Sequence, residues 1–460
     1  MRRFALLAAA CVAPAALSLA LPSSPTYDPW AWIVWGREIV ELDLDTRYGP
    51  SWKPLPVLFT TPFALLGDAA PALWLVVSRA GAVFAVVMAY RVAGRLAGGG
   101  RAGMLAGIAA AIGVVFTEGW LRNGTLGNSE GLLVGLVLLA VDRHLDGARG
   151  QAFGAAFGAA LLRPEVWPFF GLYALYLWLR DRPLRPLVAA LLASLPILWF
   201  VPDYLATGEL LRSSERAQDP NPGSPAFAER PALEVASRAV DLPLEAVVAG
   251  FAAALAFALA DRRRDERASV LLALTLGILA LVGVVALMTE AGYSGNLRYL
   301  ILPAALTAVA AAVGLVRLGE TIAGRLASAR AGLVAGVVLG AALLASAAPR
   351  AAALPDEVEA LAYQGRLYDD LGRAVANAER DGAVDCGRPV TGAFHVPAVA
   401  WQLRVHTGEV SLEPEPPTIV FRAPTARGQD ADPSLPASAT FRPVAREGEW
   451  EVFATCPEGP

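Results

Sequence analysis

Eleven apolar segments, at residues 4–21, 71–90, 102–116, 130–141, 151–162, 166–179, 186–202, 243–260, 268–288, 299–316 and 331–348, leave this chain little choice of fold. A run of about 17 to 25 apolar residues is long enough to cross a hydrocarbon core of about 30 Å, and in lipid only a helix satisfies its own backbone. Segments 130–141, 151–162 and 166–179 are short by that measure and read as broken or partly embedded helices lining a cavity. The composition agrees: 55% of residues are hydrophobic and 17% charged, against about 25% charged in soluble domains, and the mean hydropathy is +0.48. The expected fold is therefore an all-α polytopic membrane protein with about eleven transmembrane helices at residues 1–348. Nothing in the chain points to nucleic-acid binding.

Arginines orient the stack. Arg2 and Arg3; Arg91, Arg95 and Arg101; Arg143 and Arg149; Arg180, Arg182 and Arg185; Arg262, Arg263, Arg264 and Arg267; and Arg317, Arg325 and Arg330 mark alternate connections, which the positive-inside rule makes cytoplasmic. The amino terminus is then inside and the carboxyl-terminal part outside, as in a multi-pass protein of a bacterial plasma membrane. Met1-Arg2-Arg3, the apolar run and Ser18-Leu19-Ala20 also fit a cleavable signal peptide. Under either reading Asp28 lies outside.

With that orientation, Asp28, Glu118, Arg122, Glu130, Arg163, Glu165 and Arg298 all fall at or near the outer ends of apolar segments. Ionisable residues in membrane segments are costly, and by default they mark a functional site. The large first outer loop, 22–70, opens on Tyr27-Asp28-Pro29-Trp30, where Trp30, Trp32 and Trp35 fit an interfacial helix and Asp28 fits its N-cap. It continues through Lys53, the only lysine, to an apolar stretch from Val57 to Leu66. The second outer loop carries Glu118, Arg122 and, behind Asn128 and Ser129, Glu130. Glu130 also suits a helix first turn, whereas Glu118 sits unfavourably at a helix end. Arg163-Pro164-Glu165 forms a tight outer turn with a local ion pair, and Arg298-Tyr299 stands at the mouth of the tenth segment. A guanidinium there suits a phosphate.

The order of these elements resembles the GT-C superfamily of membrane glycosyltransferases, including protein O-mannosyltransferases and the mannosyl- and arabinofuranosyltransferases of actinobacterial envelopes. The resemblance rests on the loop-one Asp28, the acidic Glu118, Leu162-Arg163-Pro164-Glu165 and Asn296-Leu297-Arg298-Tyr299, and it covers residues 1–348. It implies transfer of a sugar from a polyprenyl-phosphate donor to a glycan, lipid or protein acceptor, with inversion. Asp28 is then the base, Glu118 the second choice, and Lys53, Arg122, Glu130, Arg163, Glu165, Arg298 and Tyr299 the substrate-binding set. The family often pairs acidic residues in loop one. Here Asp28 precedes Pro29 and Glu118 precedes Gly119, so a divalent cation stays open as a cofactor but has no paired acidic motif to support it. A transporter or flippase, or a non-catalytic envelope scaffold, would be the competing class; a transporter would place its ionisable residues at the bilayer midplane.

From residue 349 the apolar spans stop. Residues 349–460 read as a small extracytoplasmic α/β domain, with an amphipathic helix over Asp356 to Arg380 and strands at Val390–Phe394, Val396–Leu403, Thr418–Phe421 and Trp450–Phe453. Cys386 and Cys456 are the domain's only cysteines, and in an oxidising compartment a bridge between them is expected. Cys11 reads as a small apolar residue. His395 and His406 lack metal-ligand spacing with the cysteines. Asp219 to Pro225 reads as a flexible outer loop able to act as a lid.

Overall fold

The computed structural model describes residues 2–263, 265–326, 329–436 and 440–456; Met1 and Arg264, both used above, lie outside the described residues. The chain opens with α1 (Arg2–Leu17), and the first loop folds into α2 (Tyr27–Glu41) and α3 (Pro54–Ala64). Then follow α4 (Ala70–Leu96), α5 (Gly100–Val115), the short α6 (Trp120–Thr125), α7 (Glu130–Leu145), α8 (Arg149–Ala160), α9 (Trp167–Arg180) and α10 (Arg185–Thr207). The second half holds α11 (Arg212–Ala217), α12 (Pro231–Asp241), α13 (Glu245–Asp261), α14 (Glu266–Glu290), α15 (Ile301–Arg325), α16 (Ala329–Ala352) and α17 (Leu354–Asp381).

Every apolar segment is thus helical. Among the described residues five stretches are long and apolar enough to cross a bilayer: Gly67–Leu96, Arg182–Thr207, Glu266–Glu290, Leu297–Arg325 and Arg330–Asp381. The pair α12 and α13, bent by 100°, makes a sixth if counted together. These helices make the chain a multi-pass membrane protein. At 16, 16, 12 and 14 residues, α5, α7, α8 and α9 are shorter.

Lipid tails are as apolar as leucine, so helices in a membrane associate through close backbone approach at small residues. The helix α15 is the most enclosed span. A Cβ on its Gly314 would come within 2.2 Å of the Gly250 carbonyl of α13, a contact that only glycine permits. Gly131 also lies against the Ala82 backbone of α4, where a Cβ would come within 2.6 Å, and this close crossing seats the start of α7 deep beside α4. In contrast, α16 leaves Leu333, Val334, Val337 and Val338 60–69% exposed.

Beyond α17 comes a four-stranded sheet of order β1-β2-β4-β3, built from β1 (Arg388–Thr391), β2 (Thr418–Arg422), β3 (Arg442–Glu447) and β4 (Trp450–Thr455). The β1–β2 pair is parallel and the others antiparallel. Cys386 and Cys456 are joined as a disulfide. The segment Val396–Leu403, read above as a strand, is instead helix α18. Its run is apolar at almost every position and so carries no period, and Pro397 suits a helix's first turn. β3 escapes a sequence reading because Arg442-Pro443-Val444-Ala445-Arg446-Glu447 is polar, as an edge strand can be.

A second correction concerns the first loop. Trp30, Trp32 and Trp35 are 5%, 0% and 0% exposed, so they are core residues and not an interfacial belt. The helix α2 is covered by α3 on one side and α18 on the other, with Trp32 edge-on to Trp74 at 5.5 Å between centroids. The carboxyl-terminal layer is fastened to this loop by His406 Nδ1 to Glu38 Oε1 at 2.8 Å and by Arg37 Nη2 donating to the Val405 carbonyl at 2.7 Å.

Candidate active site at one end of the helix stack

Five separate segments deliver charged side chains to one place. Asp28 lies in the first turn of α2, and its carboxylate goes to side chains rather than capping the helix. The preceding Thr26 N–H donates to the Leu126 carbonyl at 3.0 Å, tying the first outer loop to the second. Lys53 precedes α3 and is fixed by its neighbours: the Trp52 indole donates to the Leu198 carbonyl at 3.0 Å, and Leu55 N–H to the Leu161 carbonyl at 3.3 Å. Arg163 follows the turn that ends α8. The Trp167 and Trp199 indoles both donate to the Ala160 carbonyl there, at 3.0 and 3.1 Å. Arg298 sits in a short 3-10 turn whose Asn296 side chain accepts from the Arg298 N–H at 3.0 Å.

Glu130 begins α7, yet neither Asn128 nor Ser129 caps that helix with its side chain. The Glu130 carboxylate is the hub instead: Oε1 accepts from Arg163 Nη2 at 2.5 Å and from Arg298 Nε at 3.1 Å. Arg298 reaches onward to Asp28 Oδ2 at 2.7 Å, and Lys53 Nζ stands 3.7 Å from the same oxygen. Glu165 lies 3.9 Å from Arg163, so the local pair expected in this turn is weaker than the link to Glu130. The Arg163 guanidinium also covers the Tyr299 ring at 4.5 Å, and Lys53 covers Trp32 at 5.0 Å.

Three cations, Lys53, Arg163 and Arg298, thus face three carboxylates, Asp28, Glu130 and Glu165. The set is electrically balanced, but its hydrogen bonding is incomplete. Glu130 Oε2, Glu165 Oε2 and Arg163 Nε are buried without a partner, a condition that costs roughly 1–3 kcal/mol per group. Burial works to raise the Asp28 pKa, but Arg298, Lys53 and Arg163 outweigh it and hold the group at about 2. Lys53 moves the other way. Burial, then the Arg163 charge, brings its ammonium down to about 7 despite the opposing pull of Asp28.

The network forms part of the wall of a cavity of about 1250 Å³. Asp28 and Arg298 line it directly. Glu118 and Arg122 line it as well but stand apart from the network: Arg122 is 3.8 Å from Glu357, and Glu118 is exposed. The structure therefore joins seven of the nine residues singled out above and leaves these two on the rim. Apolar lining comes from Val115, Phe116, Leu121, Leu297 and Ile301. The Asp219–Pro225 loop contributes Asp219 and Asn221, and it is tied down by Ser224 Oγ donating to the Ser294 carbonyl. Among the described residues no three His, Cys, Asp or Glu side chains are grouped as metal ligands, and the Arg298 guanidinium spans the gap between Asp28 and Glu130.

Four lining arginines, Arg47, Arg212, Arg216 and Arg350, went unnoticed in the sequence. Arg212 donates to the Pro50 and Gly49 carbonyls at 2.7 and 3.2 Å, and Arg216 to Gly49 at 3.3 Å. A signal was present for Arg212 and Arg216, since both lie in a connection assigned to the outer side, where the positive-inside rule expects few arginines.

The fold has counterparts among solved structures. Over 98% of its length the chain superposes on ArnT from Cupriavidus metallidurans, with TM-scores of 0.56 for the form bound to undecaprenyl phosphate and 0.58 for the apo form. The match covers 97% and 98% of those chains at 12% identity. The archaeal oligosaccharyltransferase AglB from Archaeoglobus fulgidus, solved with an inhibitory peptide and a dolichol-phosphate, matches at a TM-score of 0.50 and 13% identity. That match covers 88% of this chain and 64% of AglB. The chain shares its fold with these membrane proteins, in keeping with the fold that the sequence resemblance implies. No protein-family model matches the chain, and no curated protein sequence matches it.

Proposed function

We propose that this protein is a membrane glycosyltransferase that moves a sugar from a polyprenyl-phosphate donor to an envelope acceptor, with inversion and with Asp28 as base. Residues 1–348 are the membrane part and 349–460 the extracytoplasmic domain, and the cavity opens on the outer face of a bacterial plasma membrane. The observation that carries this reading is the convergence of Asp28, Lys53, Glu130, Arg163, Glu165 and Arg298 at a cavity wall. The shared fold with a protein solved with undecaprenyl phosphate and with another solved with dolichol-phosphate supports the donor class.

The chemistry follows from the charges. A sugar on a lipid phosphate already has a good leaving group, so the site must chiefly neutralise that group, and preorganised cations do this best in a water-poor pocket. Arg298 and Lys53 hold the phosphate, with Arg163 behind them. The acceptor hydroxyl attacks the anomeric carbon from the face opposite the phosphate. As the new C–O bond forms, the old one breaks, its electron pair leaves with the polyprenyl phosphate, and the hydroxyl proton passes to Asp28. A carboxylate held near pKa 2 is a poor base, but a phosphate that draws away Arg298 and Lys53 restores its basicity. Glu130, enclosed between two guanidiniums and absent from the cavity lining, keeps those guanidiniums in place.

A strain lacking the protein should accumulate a polyprenyl-phosphate sugar in its lipid extract, cleared by the wild-type chain but not by Asp28→Asn. An unchanged lipid profile would contradict the reading.

A further inference from the structure

We propose that Tyr27, Tyr48 and Phe394 form the acceptor subsite, and that the acceptor it takes is a carbohydrate. This rests on the transferase reading above and names the other substrate. Tyr27 directly precedes Asp28 in the first turn of α2, and both residues line the cavity. A ligand lying on the Tyr27 ring therefore presents its hydroxyls beside the carboxylate proposed to take the proton.

Two of the three rings do not behave as core residues, and the third, Tyr27, is half-buried. Tyr48 is 58% and Phe394 39% exposed, although both line the cavity. The Tyr27 and Phe394 rings stand 6.1 Å apart with 34° between their planes, so they form one aromatic face on the cavity wall. A sugar ring has an apolar C–H face that an aromatic surface accepts, and a rim of hydroxyls that needs a few placed polar groups. Arg216, beside the Tyr27 hydroxyl, and Gln364, on the cavity wall, supply that rim.

The face is also held rigidly, which lowers the entropy lost on binding. Tyr48 lies against Gly408, where a Cβ would come within 2.4 Å of the ring. Phe394 comes from the turn after β1, closed by the His395 N–H donating to the Gly392 carbonyl at 2.9 Å. The contacts of Glu38 and Arg37 with His406 and Val405 fasten the domain carrying Phe394 to the loop carrying Tyr27 and Tyr48.

Two other occupants fit less well. The apolar lining suited to a polyprenyl tail, Val115, Phe116, Leu121 and Leu297, belongs to the ends of α5 and α15 and the α6 region, not to these loops. An extended peptide is commonly captured on a strand edge. None of the residues lining the cavity belongs to β1, β2, β3 or β4.

The test is ligand-observed saturation-transfer NMR on the full chain in lipid nanodiscs, with mannose-, galactose- and arabinose-built tetrasaccharides and a panel of unstructured peptides. Binding of undecaprenyl phosphate is measured on the same samples. At least one tetrasaccharide should bind through its ring C–H protons. Its affinity should fall tenfold or more in Tyr27→Ala and in Phe394→Leu, which keeps apolar volume but loses the aromatic face. Undecaprenyl phosphate should bind these variants within twofold of wild type, which also reports that they are folded. Equal tetrasaccharide binding by wild type and variants, peptide binding in place of glycan binding, or no glycan binding beside intact lipid binding would each overturn the subsite. Loss of undecaprenyl phosphate binding by the wild type would instead overturn the transferase reading.

Discussion

The helix α7 carries a buried carboxylate near each end, and the two differ in almost everything except chemistry. Glu130 and Asp142 are about 18 Å apart along the helix axis, at 1.5 Å per residue. Asp142 is met by Arg91 at 2.8 Å and by Arg95 at 2.6 Å, with Arg143 adjacent, while Asp146 is met by Arg95 and Arg143 at 2.6 Å each. Those arginines come from the neighbouring α4 and from α7 itself, lie at the helix ends marked by the positive-inside pattern, and line no part of the large cavity. At the other end Glu130 is linked through Arg298 and Arg163 to segments from all along the chain. It retains an unpartnered buried oxygen and stands one residue behind an open cavity. The comparison teaches that a buried ion cluster says little about function by itself. What separates a staple from a site is long-range convergence, an open face and incomplete hydrogen bonding.

The comparison can be broken by mutating both ends. Arg298→Ala should give the largest effect. Truncating one partner of a buried charge pair costs about 2–5 kcal/mol, roughly 30- to several-thousand-fold, and undecaprenyl phosphate binding followed by native mass spectrometry should weaken within that range. Donor affinity should suffer more than acceptor affinity, and equal losses would count against a phosphate role. Asp142→Asn should do the opposite. It leaves three guanidiniums less compensated and should destabilise the fold by about 3–5 kcal/mol, lowering yield and Tm, while transfer per folded molecule stays within threefold of wild type. A Tm near wild type combined with lost activity would reverse the two assignments.

A smaller effect comes from Lys53. With its pKa lowered to about 7, the ammonium is charged below pH 7 and neutral above it. Donor affinity should therefore be full below pH 7 and fall by up to about tenfold per pH unit above it, until the pKa of the bound state is reached. Lys53→Arg keeps the charge and should flatten that slope, whereas wild-type binding that is constant from pH 6 to 9 would remove Lys53 from the phosphate site. Glu118→Gln should change transfer least, within about threefold, because the Glu118 side chain stands outside the network. A hundredfold loss would move the base into the second outer loop.

These contrasts also explain what the sequence could and could not reveal. The apolar segments were legible because bilayer thickness imposes a length, and all eleven are helices. Which end of the stack holds the cluster was legible because arginines in short connections carry a sidedness signal. The rank of Glu130 was not. Its position in the first turn of α7 offers a local explanation, and only the approach of Arg163 and Arg298 from 33 and 168 residues away makes it the hub. Glu118 erred in the other direction, looking unexplained locally yet remaining exposed. The tryptophans of α2 were misread because an aromatic face has the same pattern whether lipid headgroups or another layer of protein covers it.

The most direct test of the account is the ionisation of Asp28 itself, followed by infrared difference spectroscopy of its carboxylate, with Asp28→Asn as the reference. Without lipid the group should titrate near pH 2, held down by Arg298, Lys53 and Arg163 against the effect of burial. With undecaprenyl phosphate bound, those cations turn to the phosphate and the Asp28 pKa should rise towards the ordinary carboxylate range, about 4. An Asp28 signal that does not move when the lipid binds would contradict the claim that this cluster is a phosphate site poised to release its base.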